Sequence, residues 1–468
     1  MPAARGAAQS FVNLHTFAGS GGGGEPMAGL ILSGSTLYGT SSAGPGSSAG
    51  SVFALSTSGT GFINLYNFSA GAFTSAQLYT NQDGSSPGSL TLSGSTLFGT
   101  ASMGGNLGLG TVFALSTNGT GYHVLYAFTG TNSDGANPTS GLILSGNTLY
   151  GTAASGGKWG YGTVFAVNTD GMGFTNLHSF AGSDGSVPAA GLVLSGGTLY
   201  GTTSSGGSAG KGIVFAISTN GGSFTTLHNF SATIGAYPGP YYNGEGANPQ
   251  AGLVVSGGIL YGTAENAGLS GSGTVFALKT DGTSFTTLHN FTASAYPGYT
   301  NSDGAFPDAG LTLAGGTLYG TTYFGSSSGH GTVFAVSTNG AGFTNLYGFS
   351  AGTYSSTLNT STNSDGAFPN GLMLAGNHLY GTTHYGGVSA YGTIFVVNLA
   401  PSLGILRTGN QVVLSWPAGV PVYGLQSAIN PNSPANWSAV FPEPVVVNGQ
   451  NVVTNPIAGS QNYFRLSQ

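Results

Sequence analysis

The chain has 468 residues, of which 86 are Gly and 20 Pro, and only 4% are charged; six Lys and Arg against twelve Asp and Glu leave a net charge of −6. No basic stripe exists to neutralise phosphates, so nucleic acid is excluded as a partner, and with no run of 18 apolar residues no membrane insertion is expected. Cysteine is absent, which removes disulfides, thiolate catalysis and Cys-ligated zinc.

The first recognisable element is Phe11-Val12-Asn13-Leu14-His15-Thr16-Phe17, which matches Phe174–Phe180 position for position. Next come seven copies of Leu-Tyr-Gly-Thr (Phe for Tyr once), with leucines at 37, 97, 149, 199, 260, 318 and 379. A repeat of 50–61 residues suits a four-stranded unit better than a solenoid coil. Each copy predicts four strands, A to D. In the third, strand A is Gly141–Leu144, strand B Thr148–Thr152, strand C Gly162–Val167 and strand D Phe174–Phe180. Val, Ile, Phe, Tyr and Thr run between Gly, Asn, Asp and Ser, with no competing helical period. The seventh repeat lacks a strand D after Thr393–Val397, whereas Phe11–Phe17 is a strand D with no repeat before it. The expected fold is therefore an all-β, seven-bladed β-propeller closed by the N-terminal strand, a closure that removes exposed strand edges.

Beyond residue 400 the tetrad vanishes, and Trp416, Trp437, Arg407 and Arg465 appear. Short strands are expected at Gln411–Trp416, Tyr423–Gln426, Val445–Val447, Asn451–Thr454 and Tyr463–Leu466, with a hairpin turn at Asn448-Gly449. The expected organisation is a tail over 1–10, the propeller over 11–399 and a small β-sandwich over 400–468.

The repeat unit, Asp-Gly-x-x-Pro, Gly-Leu-x-Leu, Leu-Tyr-Gly-Thr-Thr, Gly-Thr-Val-Phe and Phe-Thr-x-Leu-His-x-Phe, resembles the GloVer-type "choice-of-anchor" tandem repeat of bacterial surface proteins, over residues 11 to 397. The tail, with Leu-Ser-Trp-Pro, Asn-Trp-Ser and Phe-Arg-Leu, is similar to a small immunoglobulin-like module of secreted bacterial proteins. Both resemblances imply export to an extracellular or cell-surface location. Neither brings a catalytic motif. The opening Met1-Pro-Ala-Ala-Arg5 carries no hydrophobic signal core, as expected of a mature chain.

Six carboxylates share one repeat position, Asp83, Asp134, Asp184, Glu245, Asp303 and Asp365, each followed by Gly and then, three residues later, by Pro; Glu25 before Pro26 reads as a degenerate seventh. They read as Asx-type caps on backbone N–H groups before strand A. A calcium reading would make Asp83, Asp134, Asp184, Asp303 and Asp365 its ligands, but calcium takes six to eight oxygens per ion. No other cofactor is expected. His15, His178, His228 and His289 alternate with Tyr66, Tyr126 and Tyr347 at one strand-D position, which points to rings packing between blades.

The B–C and D–A loops are long and variable and share one face of an up-and-down blade. Their aromatic residues beside Asn, Ser and Gly resemble a sugar-binding lining, and the candidate ligand-binding residues are Trp159, Tyr161, Tyr241, Tyr242, Tyr299, Tyr323, Phe324, His384 and Tyr385. Tyr237 and Tyr296 lie in the same loops. The expected function is a binding module for neutral carbohydrate or another surface protein. The alternative is a polysaccharide-degrading enzyme. A lyase would use His330 or His384 with Tyr323 or Tyr385; a glycosidase would use Glu265 with Asp303 or Asp308.

Overall fold

The computed structural model describes residues 10–19, 23–44, 49–74, 78–130, 134–235, 241–295, 298–355, 360–399, 403–417, 424–428, 437–447, 450–456 and 462–467. Among them there is no helix, and hence none long and apolar enough to cross a membrane. The chain divides into two compact units, one of residues 12–373 with 380–396 and one of 397–468 with 374–379 and the N-terminal eleven.

Every Leu-Tyr-Gly-Thr tetrad lies in the strand that pairs with strand C in an antiparallel sheet. The third repeat forms Ile143–Ser145, Thr148–Ala153, Thr163–Asn168 and Thr175–Ser179, as the alternation of apolar runs and Gly-bearing turns predicts. The sheet of the seventh tetrad takes its strand D from the N-terminus: Ser10–Thr16 lies beside Thr393–Asn398, and Phe17 N–H donates to the Gly392 carbonyl at 3.1 Å.

The tetrad is a packing device. Its glycine sits opposite the strand-C phenylalanine, as Gly201 does opposite Phe215. A Cβ on Gly201 would lie 2.6 Å from that ring and 2.8 Å from Leu192 of strand A. Only hydrogen fits, and the glycine φ there is ordinary, so space rather than backbone freedom selects the residue. Phe215 and its counterparts Phe53, Phe113, Phe165, Phe276, Phe334 and Phe395 are completely buried. Each meets edge-on the strand-D phenylalanine of the preceding sheet at 5.2–5.5 Å, from Phe17 on Phe53 to Phe349 on Phe395.

The tetrad threonine ties each repeat to the next. Buried Oγ1 atoms of Thr40, Thr100, Thr152, Thr202, Thr263 and Thr321 donate to backbone carbonyls of Gly88, Ser140, Ala190, Ala251, Ala309 and Asn370. Thr382 of the seventh repeat donates at 3.0 Å to Ala28 of the first. A second series runs through the residue before each conserved proline. Its N–H donates to the carbonyl of the residue preceding the strand-C glycine one repeat earlier, as Val187 does to Tyr161 and Phe306 to Ser272, and Glu25 closes the series on Tyr391 at 2.7 Å. All seven of these pre-proline residues, Glu25, Ser86, Asn137, Val187, Asn248, Phe306 and Phe368, hold φ between 53° and 59°. That left-handed conformation is costly for a branched or aromatic residue, of order 1–3 kcal/mol, and is held here by the inter-repeat bond. Glu25 therefore aligns with the pre-proline residues and not with the repeated carboxylates.

The smaller unit holds two antiparallel sheets. One orders Gly404–Thr408, Gln411–Pro417, Gln450–Pro456 and Val445–Val447; the other centres on Gly424–Ala428 between Ser438–Ala439 and Tyr463–Ser467. Leu414, Trp416 and Val453 of the first share a core with Leu425 of the second and with Val440. Val447 pairs with Gln450, as a hairpin at Asn448-Gly449 requires, although those two residues lie outside the described ones.

Candidate functional site

The repeated carboxylates serve the scaffold, by a route that differs from the expected cap. Each reaches back to the strand-D ring of the preceding sheet and to the backbone N–H three residues beyond that ring. Asp83 accepts from Tyr66 Oη at 2.7 Å and Ser69 N at 2.8 Å. Asp134 accepts from Tyr126 and Thr129, Asp365 from Tyr347 and Ser350. Asp184, Glu245 and Asp303 accept from Nε2 of His178, His228 and His289 at 3.0, 3.3 and 3.0 Å. A carboxylate only accepts, so Nε2 carries the proton, which is why His and Tyr interchange here: both are flat rings with a donor at the tip. Burial pushes the His178 and His228 pKa values down despite their acidic partners. The rings also stack on the aromatic residue that opens the next strand D, as His178 does on Phe224 at 3.8 Å. Asp83, Asp134, Asp184, Asp303 and Asp365 thus each have donors on their own separate sheets, and among the described residues no three His, Asp or Glu side chains gather as a metal site would require.

The antiparallel order puts the B–C and D–A loops at the same end of every sheet. Three repeat positions there change character along the chain. The residue after the tetrad and its neighbour is Ser42, Ser102, Ala154 and Ser204, then Glu265, Tyr323 and His384; the residue after the conserved proline is Met27, Gly88, Thr139 and Ala189, then Gln250, Asp308 and Asn370. The pre-proline residue becomes Phe306 and Phe368 in the last two repeats. Chemistry-bearing side chains thus replace small ones in repeats five to seven.

Glu265, Phe306, Asp308, Tyr323 and Phe368 among them lie in a row of hollows. One, of about 680 Å³, is lined by Lys211, Tyr241, Tyr242, Asn248, Asn266, Tyr299 and Phe306. A second, of about 320 Å³, shares Asn266, Tyr299 and Phe306 and adds Glu265, Asp308, Tyr323 and Phe324. A third, of about 330 Å³, lies on His330, Phe368 and Tyr385. Tyr323 stacks on Phe368 at 4.6 Å and joins the second to the third. His384 stacks on Tyr385 at 3.9 Å, and burial lowers its pKa. Lys211 Nζ stands 5.4 Å over the Tyr241 ring, a cation held against a π face.

Of the expected site residues, Tyr241, Tyr242, Tyr299, Tyr323, Phe324, His330, Tyr385 and Glu265 line these hollows and His384 stands behind Tyr385. Trp159 and Tyr161 do not line them: they are exposed on the third repeat, Trp159 under the Lys158 ammonium at 4.7 Å. Tyr237 and Tyr296 lie outside the described residues. Tyr323, His330 and Tyr385 gather around Phe368, with His384 stacked on Tyr385, and no hydrogen bond joins His330 or His384 to Tyr323 or Tyr385; His330 Nδ1 is held by the Ser328 carbonyl at 2.8 Å. Of the two glycosidase pairings, Asp303 is committed to His289 and Thr292, and it is Asp308 that shares a hollow with Glu265. Burial and the Glu265 charge push the Asp308 carboxyl up to about 7. Burial also raises Glu265, opposed by amide donors from Gln250 and Asn266. The Tyr323 phenol is raised by burial and by Asp308. Phe306 and Phe368 were the residues not singled out from the sequence, and the repeat alignment at the pre-proline position carries their signal.

The sheets and their inter-repeat ties define an all-β tandem-repeat protein with an aromatic cleft on one loop face. The chain belongs to the Gloeobacter/Verrucomicrobia repeat family, a bacterial family whose model matches residues 69–242 and 240–357. No curated protein matches the sequence. Among solved structures, an oligogalacturonate lyase from Vibrio parahaemolyticus is similar with a TM-score of 0.47 and 9% identity, over 84% of this chain and 98% of that one. A putative 6-phosphogluconolactonase from Bacteroides uniformis ATCC 8492 gives 0.41 and 15%, over 94% and 100%. The tricorn protease gives 0.38 and 10%, over 84% of this chain and 37% of that one. Similarity this remote carries neither a substrate nor a reaction across.

Proposed function

We propose that residues 11–399 form a seven-bladed β-propeller closed by the N-terminal strand, that 400–468 form a small immunoglobulin-like sandwich, and that the protein is an exported bacterial binding module for carbohydrate. Closure is supported by the two bond series that return from the seventh repeat to the first, at Thr382 to Ala28 and Glu25 to Tyr391. The function rests on one observation: at fixed repeat positions on one loop face, mostly small residues of the earlier repeats give way to Glu265, Phe306, Asp308, Tyr323 and Phe368 in repeats five to seven, and these line adjoining hollows. The fold does not need the exchange, since four repeats are built without it. Aromatic faces stack on the apolar faces of pyranose rings, and the amides and carboxyls supply partners for hydroxyls, a mixture suited to sugars. A glycan array followed by calorimetric titration tests this. The Tyr323→Ala, Tyr385→Ala double variant is expected to lose at least tenfold in affinity with its melting temperature unchanged. Full affinity in the double variant, on a glycan that the wild type binds, places the site elsewhere.

A further inference from the structure

Glu265 and Asp308 come from different repeats, one from the second residue after a tetrad and the other from the residue after a conserved proline, and they line the same hollow with Tyr299, Phe306, Tyr323 and Phe324. The scaffold carboxylates are each bound by a ring and a backbone N–H. Asp308 has no side-chain donor among the described residues, whereas Glu265 accepts from Gln250 and from Asn266 at 3.1 Å. Two carboxyls in one partly buried hollow cannot both ionise cheaply, and the one without side-chain donors keeps the proton.

We propose that this hollow hydrolyses a glycosidic bond, with Asp308 as general acid and Glu265 as general base. The inference rests on the carbohydrate reading above and names what happens to the bound sugar. Asp308 gives its proton to the glycosidic oxygen as the bond from that oxygen to the anomeric carbon breaks, so the leaving sugar departs as a neutral alcohol. Glu265 takes a proton from the water whose oxygen forms the new bond to that carbon. One water is consumed, no oxidant or cofactor enters, and transfer of the proton from Glu265 through solvent to Asp308 restores both groups. The division of labour follows from their surroundings: burial beside the Glu265 charge holds Asp308 protonated up to about pH 7, while burial raises Glu265 as well but is opposed there by two amide donors to its carboxylate. Tyr299 and Tyr323 line the same hollow and offer ring faces on which a sugar could stack.

The experiment uses the full chain with soluble xylan, galactan, mannan and mixed-linkage β-glucan, measuring both binding and reducing-end release between pH 5 and 8. Release from at least one that binds is expected, falling on the alkaline side as Asp308 loses its proton near pH 7. Asp308→Asn and Glu265→Gln are each expected to slow release by about 10²–10⁴-fold while still binding the polysaccharide, which also reports that the variants are folded. Binding without release, or release undiminished in both variants, overturns the hydrolysis and leaves the binding module standing. No binding to any of the four overturns the carbohydrate reading and the hydrolysis together.

Discussion

Replacing His15 by Phe should flatten the protein's loss of stability between pH 7 and pH 5. Its counterparts on the other strands D donate to a carboxylate, but the first repeat places Gly22 at that spacing before Pro26. His15 is stacked on Phe62 at 3.9 Å and meets Phe17 edge-on at 5.1 Å, and its Nε2 is buried without a partner among the described residues. Burial, with no acidic neighbour to oppose it, drives its pKa from 6.5 down to about 4. Between those values the ring is neutral in the fold and charged in the unfolded chain, so the unfolded state binds the extra proton and stability falls as pH falls through this window. A displacement of that size corresponds to at most ~3 kcal/mol, and the partial exposure of the ring reduces this to about 1–2 kcal/mol. His178 and His228 act in the same direction and form a background common to both proteins. Urea unfolding followed by far-ultraviolet circular dichroism at pH 7.5 and pH 5 measures the difference. His15→Phe should lose about 1–2 kcal/mol less than the wild type over that interval. Parallel losses in the two proteins would mean that His15 finds a partner or solvent, and the reasoning fails.

Gly201→Ala should destabilise by ~1–3 kcal/mol through overpacking, because its Cβ meets Phe215 at 2.6 Å; unchanged thermal unfolding would show that the tetrad glycine has room. Deleting residues 10–17 should lower the melting temperature sharply, since it bares the edge of Thr393–Asn398 and removes the buried Phe17, and an unaltered melting curve would contradict closure. Asp303→Asn should cost ~1–3 kcal/mol through weakened bonds from His289 and Thr292, with no response of the wild type to EDTA. A chelator-induced drop in the wild type that the variant lacks would instead establish calcium at this position.

The sheets were legible because each strand is written seven times. Strand D of the last sheet was found by counting, and Ser10–Thr16 beside Thr393–Asn398 is where the count puts it. What repetition alone does not reveal is which atoms a repeated residue touches. The Asp-Gly-x-x-Pro carboxylate follows strand D and precedes strand A, and local turn chemistry assigns it to strand A. In the structure it turns back to the ring on strand D, because a buried phenol or imidazole tip needs an acceptor and the loop carboxylate is the group in reach. For the same reason Glu25 is misleading on the page: it is an acid near the right proline, but it stands three residues too late and holds the pre-proline backbone conformation instead.

The cleft was half legible, for a reason rooted in how a repeat chain can acquire chemistry. A scaffold residue such as Gly201 or Thr202 is fixed by contacts that recur in every repeat, so changing it in one repeat breaks a packing rule. A loop position that varies between copies has no such duty, and a departure there is free to serve a ligand. Reading the loops after the tetrads in this way finds Glu265, Tyr323 and His384. The same comparison at the positions flanking the conserved proline finds Phe306, Asp308, Gln250 and Phe368, which approach from the other loop. Sequence spacing separates Glu265 from Asp308 by a whole strand C and strand D; the antiparallel order returns the chain to the same end of the sheet, where Asp308 follows Pro307 and the left-handed Phe306, itself held by its bond to Ser272 of the preceding repeat. The pairing of acids is thus a product of topology and of one recurrent backbone kink, neither of which a motif search registers. Trp159 shows the converse: it is aromatic and loop-borne, but the third repeat supplies no second departure at the proline positions for it to meet, and it stands exposed with only the Lys158 ammonium over its ring.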